Sequence, residues 1–469
     1  MMRLSRRAFL GSPAASVLAA APAKPNVLFM PVDDLNDWVE DFGGHPQTVT
    51  PNIHRLAQSG VRFQNAYCQA PMCNPSRASL LTGLRPSTTG VYENDDTWRD
   101  GAPEAVTLPE YFMKNGYRVE GCGKIFHSKQ TDYGGFHAHL KDSDSDGYKG
   151  VKPSRGRVGP AKNFDWGPLD IPDERTPDFQ VARYAAAFLS RQHRQPFFLA
   201  CGFVKPHLPW YAPKAYFEKF AGMDVKLPPY LANDLDDVPK SAIREQALKA
   251  HAGIVGANQW QEAVAAYLAC INYSDANAGR VLAALDASPY RDNTIVVLFG
   301  DHGWHLGEKD HWQKFTLWER SCRAPLIVRA PGMRTGADCQ RVVELLDLYP
   351  TLVDLRGLPG KNGQEGRSLR PLLASPGAAW DRPAITSNGA NRISVRTAGW
   401  RYTRYSDGEE LYDERNDRNE WTNLASKPEH AATKARLLSL LPKDINRKKP
   451  RSWDSLGTPE RQLLHRRPK

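Results

Sequence analysis

The sequence predicts an α/β fold: a mostly parallel sheet flanked by helices, followed by a smaller C-terminal subdomain that contains an antiparallel sheet. Short apolar runs, too brief for helices, alternate with longer segments of helical periodicity along most of the chain. This alternation is the pattern of a parallel sheet covered on both faces. After about residue 380 the composition changes to short Arg- and Tyr-rich stretches separated by turns, which favours antiparallel strands.

The first predicted strand is the buried apolar run Asn26–Val32, which ends directly before two aspartates. Binding and catalytic sites of such sheets form beyond the carboxyl ends of the strands, so the residues that follow each strand are the first candidates for function. The other predicted elements are the helix Leu108–Asn115, the strand Tyr117–Gly121, the helix Asp178–Ser190, the strand Pro196–Gly202, the helix Glu262–Leu285, the strands Thr294–Gly300 and Ala324–Arg329, the helix Val342–Leu355, and the C-terminal strands within Ile393–Arg401 and Tyr402–Leu411.

Length and the distribution of charge indicate how the chain is divided and which partners it has. The chain has 469 residues and a net charge of +10, but residues 1–23 hold three arginines without an acid, and residues 427–469 hold twelve basic and four acidic side chains. The body between them is close to neutral, so we expect no specific nucleic-acid partner, although the tail could contact nucleic acid, a polyanionic glycan or only water. We predict four divisions: an export signal (1–23), a catalytic domain (24–380), a C-terminal subdomain (381–445) and a basic tail (446–469).

The first 23 residues have the pattern of an export signal. Arg6 and Arg7 precede a weakly hydrophobic run that ends in an Ala-Pro-Ala cleavage site at 21–23. Paired arginines followed by Phe-Leu resemble a twin-arginine signal, which predicts passage through the twin-arginine machinery and a periplasmic or secreted protein. A Sec signal or a short anchor is the alternative. No apolar run reaches the roughly 20 residues of a membrane span.

Two acidic clusters are predicted to converge on a metal ion. Asp33 and Asp34 follow the first strand, and Asp301 and His302 follow the strand Thr294–Gly300, so all four would lie at one edge of the sheet. Three carboxylates and one imidazole suit a hard divalent cation, and Ca²⁺ fits better than Zn²⁺ because oxygen ligands dominate. The alternative, an Asp that caps a following helix, explains only one acid.

Cys73 is the candidate nucleophile. The chain has seven cysteines, an odd number, without C-x-x-C spacing, which argues against a disulfide scaffold or a zinc ribbon and leaves at least one thiol free or modified. Cys73 stands at a predicted helix start with Pro75 in the first turn, where the helix field favours anions. The stretch Cys73–Gly83, C-N-P-S-R followed by A-S-L-L-T-G, resembles the signature of type I sulfatases, whose cysteine is oxidised to Cα-formylglycine.

Other segments extend this resemblance along most of the chain. Gly123–His127, Lys205–Pro209 and Asp301–Glu308 are similar to further segments of the family. The pairing of Asp with His at 301–302, together with Arg85–Thr89 and Ile393–Thr397, is most similar to iduronate-2-sulfatases. The resemblance implies an alkaline-phosphatase-like α/β core, Ca²⁺, a formylglycine-generating enzyme as maturation partner, and a sulfated carbohydrate as substrate.

The resemblance also implies a role for each site residue. Formylglycine at position 73, once hydrated, would attack sulfur in line with the ester oxygen. The implied metal ligands are Asp33, Asp34, Cys73, Asp301 and His302. The implied catalytic residues are Cys73, Arg77, Lys124, His127, His207 and Lys314. Arg77 would steady the diol, and Lys124 and Lys314 would neutralise the sulfate oxygens. His207, with Lys314, would protonate the leaving oxygen, and His127 would remove the proton of the second hydroxyl.

The substrate is less sharply defined. The likeness to iduronate-2-sulfatases implies a uronate, whose carboxylate would need a cationic partner, preferably Arg. Rival hypotheses are a phosphonate monoester or phosphodiester hydrolase, a sulfatase for another sulfated polysaccharide, and a glycan-binding protein without turnover. The candidate partners of the uronate carboxylate are the loop Glu93–Arg99 and the arginines Arg392, Arg396, Arg401 and Arg404.

Overall fold

A computed structural model describes residues 24–127, 130–140, 164–452 and 455–457. The predicted export signal (1–23) and the end of the basic tail (458–469) lie outside the described residues. The strands are β1 (Asn26–Val32), β2 (Val61–Tyr67), β3 (Arg118–Gly123), β4 (Ala138–Leu140), β5 (Trp166–Leu169), β6 (Phe197–Gly202), β7 (Trp210–Pro213), β8 (Thr294–Gly300), β9 (His305–Leu306), β10 (Trp312–Gln313), β11 (Arg323–Ala324), β12 (Leu326–Arg329), β13 (Ala337–Glu344), β14 (Ala384–Ser387), β15 (Ile393–Arg396), β16 (Trp400–Arg404) and β17 (Glu409–Asp413).

Helices connect most of these strands. The longest helix among the described residues, Trp260–Asp286, covers 27 residues and corresponds to the predicted helix Glu262–Leu285 with nearly the same bounds. The α-helices are α1 (Pro51–Gln58), α2 (Cys73–Thr82), α3 (Pro86–Thr89), α4 (Trp98–Gly101), α5 (Leu108–Lys114), α6 (Pro177–Leu189), α7 (Lys214–Glu218), α8 (Glu245–Gly256), α9 (Trp260–Asp286), α10 (Glu319–Cys322), α11 (Leu348–Leu355), α12 (Arg370–Ala374) and α13 (Ala431–Leu438).

The central sheet is mixed and mostly parallel. Its strands follow the order β11-β2-β12-β8-β1-β6-β3-β4, and β13 also pairs with β2. Strand β1 lies parallel to both β6 and β8, whereas β12 is antiparallel to β8 and β2. The apolar runs predicted as strands therefore occupy the middle of the sheet, where both faces are covered. The predicted α/β fold is confirmed.

Alternate side chains of β1 enter two separate cores. Leu28 and Met30 pack in the core that contains α6 and α9. Val27 and Phe29 pack in the core that contains α5 and α11, on the other face of the sheet. Successive side chains of a strand point to opposite faces, so a strand that is apolar throughout requires a helix layer on each side. None of the helices in the described part of the chain is long and apolar enough to cross a lipid bilayer.

The predicted helix Val342–Leu355 is wrong in its first half. Val342, Val343 and Glu344 belong to β13 and pair with β2, and α11 begins only at Leu348. A short 3-10 turn, Leu345–Asp347, joins the two elements, with Glu344 and Asp347 capping each other. Glu344 and Asp347 are three apart, the spacing of one helix face, so the sequence favoured a helix although the two acids cap a short turn.

The C-terminal strands β14–β17 form an antiparallel sheet in sequence order, as predicted. A buried ion cluster joins this sheet to the main body. Arg401 has no exposed surface, its Nε lies 2.5 Å from Oε1 of Glu420, and it also pairs with Glu319 in α10. Arg396 pairs with Glu414 at 3.1 Å. The expectation that Arg396 and Arg401 could bind a substrate carboxylate is wrong, because glutamates of the protein already hold them.

We predict that Arg401→Ala lowers the free energy of unfolding by about 3–5 kcal/mol, because it leaves buried glutamates without their main cation. Denaturant unfolding monitored by circular dichroism measures this change. The matched control is Arg415→Ala, which removes a pair with Asp413 on the exposed side of the same sheet and should leave the unfolding midpoint nearly unchanged. Equal midpoints for the two variants would show that the buried cluster does not hold the subdomain.

Candidate active site

The carboxyl ends of β1 and β8 bring the two acidic clusters together. Val32 pairs with Gly300, so the residues after each strand are neighbours. The backbone N–H of Asp34 donates to Oδ1 of Asp301 at 3.1 Å, and Asp34 adopts a left-handed backbone conformation with φ 59°. The side chains of Asp33, Asp34, Asp301 and His302 are fully buried. The sequence alone predicted this convergence, because parallel neighbours end at the same edge of a sheet.

Cys73 is the first residue of α2, and it lies against this cluster. Its Sγ is 2.9 Å from Nζ of Lys314, 3.4 Å from Nε2 of His302 and 3.7 Å from Oδ1 of Asp34. Burial and Asp33 raise the pKa of the thiol, but the ammonium groups of Lys314 and Lys124 outweigh them and lower it below its usual range. The helix N-terminus adds a positive field at the same point. Position 73 is therefore built to carry a negatively charged or strongly polarised side chain.

Arg77 connects the two acidic clusters from one turn further along α2. Its Nη2 donates to Oδ1 of Asp33 at 2.9 Å, and its Nε donates to Oδ2 of Asp301 at 2.8 Å. Its Nη1 donates to the backbone oxygen of Lys124 at 2.6 Å. Residues four apart share a helix face, so Cys73 and Arg77 point into the site together. The guanidinium group of Arg77 therefore holds both carboxylates and the start of the loop that follows β3.

Lys124 reaches the site through a close approach of two strands. The φ of Gly123 is +70°, and a Cβ at Gly202 would lie 2.0 Å from the backbone oxygen of Lys124. Only glycines allow β3 and β6 to end this near each other. Nζ of Lys124 then reaches Oδ2 of Asp33 at 2.5 Å.

Lys314 comes from a strained loop after β10. Its neighbours Gln313 and Phe315 have φ values of 73° and 78°, which side chains other than glycine rarely adopt. Nζ of Lys314 lies 2.5 Å from Oδ1 of Asp34. Burial alone would lower the pKa of Lys314, but the charges of Asp34 and Cys73 outweigh burial and raise this pKa above its usual value. The ammonium therefore keeps its proton. Strained backbone of this kind is tolerated where the fold holds a functional side chain in place.

Three histidines surround the cluster. His302 donates from Nδ1 to the backbone oxygen of Gly303 at 2.9 Å, which leaves Nε2 facing Asp34 and Cys73. Nε2 of His207 lies 3.8 Å from Oδ2 of Asp34. Nδ1 of His127 is buried without a hydrogen-bond partner among the described residues. Burial and then Lys124 lower the pKa of His127 to about 3, so its ring is neutral at pH 7.

The donor atoms at this edge fit a divalent cation. Oδ2 of Asp34 is buried and accepts no hydrogen bond from the described residues. Candidate ligand atoms of Asp33, Asp34, Cys73 and His207 lie within 4.8 Å of one another, and so do those of Cys73, Asp301 and His302. Three of these six side chains are carboxylates, and one of their oxygens has no partner among the described residues; hard oxygen donors of this kind suit Ca²⁺. The structure brings together every predicted metal ligand and adds His207 to the group.

Sequence reasoning missed the residue that orients the His207 loop. Asp178 in α6 is buried and accepts hydrogen bonds from the backbone N–H groups of Val204 and Lys205, both at 2.9 Å. Nζ of Lys205 in turn donates to the backbone oxygen of His207 at 2.9 Å. Asp178 stands at the start of a helix, where an acid is ordinary, so its sequence position carried no sign of this task.

The chain is similar to proteins of known families. A family model described as Sulfatase matches residues 25–358, and one described as N-sulphoglucosamine sulphohydrolase, C-terminal, matches residues 307–447. A protein named Sulfatase from Formosa agariphila is 38% identical over 444 residues, which cover 90% of this chain and 87% of that relative. Iduronate 2-sulfatase of Mus musculus is 32% identical over 466 residues, covering 81% of this chain and 84% of the mouse protein.

Two solved structures show the same architecture. A 2-O GAG sulfatase superposes with a TM-score of 0.68 at 25% identity and covers 89% of this chain and 91% of its own. Phosphonate monoester hydrolase from Silicibacter pomeroyi superposes with a TM-score of 0.74 at 23% identity, over 89% and 94% of the two chains, and shares the fold. Since the Sulfatase model spans more than half of the chain and two relatives exceed 30% identity over most of it, the chain belongs to the sulfatase family.

Proposed function

We propose that this sulfatase hydrolyses a sulfate ester of a sulfated carbohydrate, with Cys73 converted to formylglycine and with Ca²⁺ at the adjacent acidic cluster. The contact of Cys73 with Lys314, His302 and Asp34 carries the proposal. It joins a nucleophile position, a cation that can hold a sulfate oxygen, and a metal cluster within one buried pocket. Membership of the sulfatase family supports the same chemistry.

The charges of the pocket favour an anionic substrate. The carboxylates of Asp33, Asp34 and Asp301 face three cations, namely Arg77, Lys124 and Lys314. These charges cancel formally, so a dication would leave the pocket positive. We assign Asp33, Asp34, Asp301 and His302 as the metal ligands, with residue 73 beside them. When bound, the ion would supply a Lewis acid that polarises the sulfate.

Residue 73 needs an oxidised side chain for turnover. Hydrated formylglycine would supply a geminal diol, which combines a nucleophilic hydroxyl with a second hydroxyl whose loss of a proton releases the product. Arg77 holds the carboxylates beside residue 73, and Lys124 and Lys314 would neutralise charge on the sulfate oxygens as it develops.

We assign proton transfer to one lysine and two histidines that surround the acidic cluster. Lys314 keeps its proton and lies beside residue 73, so we assign it to protonation of the leaving sugar oxygen. Burial lowers the pKa of His207 to about 4, so its ring is neutral at pH 7, and we assign it to this step together with Lys314 as a relay for the proton. His127 is neutral and has a free Nδ1 among the described residues, so we assign it as the acceptor of the second hydroxyl proton.

The proposed substrate is a 2-O-sulfated uronate. Two similar proteins support it by name, the mouse iduronate 2-sulfatase and the 2-O GAG sulfatase. The second candidate reaction is phosphonate monoester hydrolysis, favoured by the fold shared with the Silicibacter enzyme.

We also propose that residues 1–23 direct export through the twin-arginine machinery to the periplasm or beyond, and that a formylglycine-generating enzyme matures Cys73.

We predict that residue 73 is formylglycine in active protein from the native host and that Cys73→Ala abolishes turnover, because the diol has no substitute. Mass spectrometry of the peptide that carries residue 73 detects the modification. Cys68→Ala is the matched control, since Cys68 is also buried but donates only to the backbone of Ser321. Active protein with an unmodified thiol at position 73 would refute the proposed nucleophile.

Removal of one charged metal ligand should lower kcat by about 100-fold or more, because that ligand helps to hold the group that stabilises the transition state. We expect this loss for Asp33→Asn and Asp301→Asn, and we expect exhaustive chelation to abolish activity until Ca²⁺ is restored. Asp338→Asn, which removes a surface pair with Arg62, is the control and should retain activity. Full turnover after chelation would exclude the metal site.

A 2-O-sulfated uronate disaccharide should be hydrolysed at least about tenfold faster, in kcat/KM, than a 6-O-sulfated neutral sugar, because a charge-assisted contact to the carboxylate adds binding energy. Sulfate release from both sugars, and phosphate or phosphonate release from aryl esters, are measured side by side. Equal rates on the two sugars would leave a sulfatase of another specificity. Faster cleavage of the phosphonate would favour the second candidate reaction.

A further inference from the structure

Two arginines from distant parts of the chain lie beside the Lys314 loop. Nη1 of Arg244, just before α8, donates to the backbone oxygen of Lys314 at 3.2 Å, and its guanidinium stacks on the ring of Phe315 at 4.3 Å. Asn388, after β14, donates to the backbone oxygen of Phe315 at 2.5 Å, and Nε of Arg392 donates to the backbone oxygen of Asn388 at 2.8 Å. Both arginines are therefore linked to Phe315, the residue that follows Lys314, Arg244 directly and Arg392 through Asn388.

No carboxylate of the described residues pairs directly with Arg244 or Arg392. Both side chains are partly buried, and neither forms a salt bridge with any carboxylate in the described ranges. Burial and then the charge of Arg392 lower the pKa of Arg244 to about 10, so the two guanidinium groups repel each other. By contrast, Arg396 and Arg401 of the same C-terminal sheet are held by glutamates. Two partly desolvated cations that lack a salt bridge, with the carboxylate of Glu93 beyond salt-bridge distance of both, are a site for an added anion.

Contacts link this pair to the segments that carry Lys314 and Cys73. Glu93 is the carboxylate whose charge acts on both arginines, and its backbone oxygen accepts a hydrogen bond from Nδ2 of Asn74, the residue after Cys73. The pair is thus bounded by the Lys314 loop on one side and by the start of α2 on the other. Arg244 also lines a cavity of about 190 Å³ with Gln313, the residue before Lys314.

We propose that Arg244 and Arg392 form a subsite for a second anionic group on the sulfated sugar, one sugar position or one residue away from the ester that is cleaved. This inference rests on the proposed sulfatase function and specifies its substrate as at least doubly anionic. The group bound is a carboxylate or a second sulfate, since the fork of Arg recognises both in the same way. Arg244 was not indicated by any sequence motif, and Arg392 was one of four candidates.

The test compares three substrates with a common cleaved sulfate: one with an adjacent carboxylate, one with a second sulfate, and one that carries no second charge. Arg392→Gln should lower kcat/KM for the doubly charged substrates about tenfold or more relative to the uncharged reference, mainly through KM. Arg392→Lys keeps the charge but not the fork and should restore part of the loss. Arg244→Gln should act in the same direction. Arg436→Gln, an exposed arginine on α13, is the control and should change none of the three.

The outcomes separate this inference from the function on which it rests. A selective loss for the carboxylate substrate, or for the disulfated substrate, supports the subsite and identifies its ligand. Substrate ratios that stay within about twofold of wild type in both variants overturn the subsite, while the enzyme remains a sulfatase. Thermal unfolding checks that each variant is folded. If Arg244→Gln does not fold, the substrate ratios of Arg392→Gln alone decide whether the subsite exists. Absence of any sulfate release by matured wild-type protein overturns the sulfatase function and the subsite together.

Discussion

The clamp of Arg77 between Asp33 and Asp301 is the interaction on which the site depends. It joins the end of β1, the end of β8 and the first turns of α2, three segments that are far apart in sequence. All three side chains are almost completely buried, so removal of any one would leave unpaired charge in a medium that cannot solvate it. The same clamp sets where Cys73 stands, because Cys73 lies one helical turn before Arg77 on the same face.

The rest of the pocket balances this clamp electrostatically. Lys124 contacts the second oxygen of Asp33 and Lys314 contacts Oδ1 of Asp34, which leaves Oδ2 of Asp34 without a hydrogen bond from the described residues. Each lysine reaches its aspartate through unusual backbone, a pair of glycines for Lys124 and left-handed residues for Lys314. Because the charges of the pocket cancel, a bound dication would make the pocket positive, and the positive pocket would attract an anionic substrate. Further out, Arg244 and Arg392 extend the positive field beyond the sulfate position, so chemistry and substrate selection use neighbouring parts of one surface.

Much of this could be predicted from sequence, for a physical reason. Strands of a parallel sheet end at the same edge, so the sequence placed Asp33 and Asp301 at one edge, and the C-x-P-S-R stretch located Cys73 and Arg77. Only the fold shows that β1 and β8 are adjacent. At Val342 the helix-like spacing of Glu344 and Asp347 was misleading, because these two acids cap a turn between a strand and a helix. The partners of Arg401 were also invisible, because Glu319 lies 82 positions away in the chain. Arg244 has no motif, and only folding places it beside Lys314.

The central claim is that residue 73, in its oxidised form, is the nucleophile of the site. The most direct measurement compares several preparations that differ in the fraction of residue 73 present as an aldehyde, quantified by a hydrazide label, and records sulfate release per mole of protein with Ca²⁺ saturating. The account predicts a line through the origin, with turnover proportional to the aldehyde fraction. Turnover that is independent of that fraction, or that persists in a preparation with thiol alone, would contradict it.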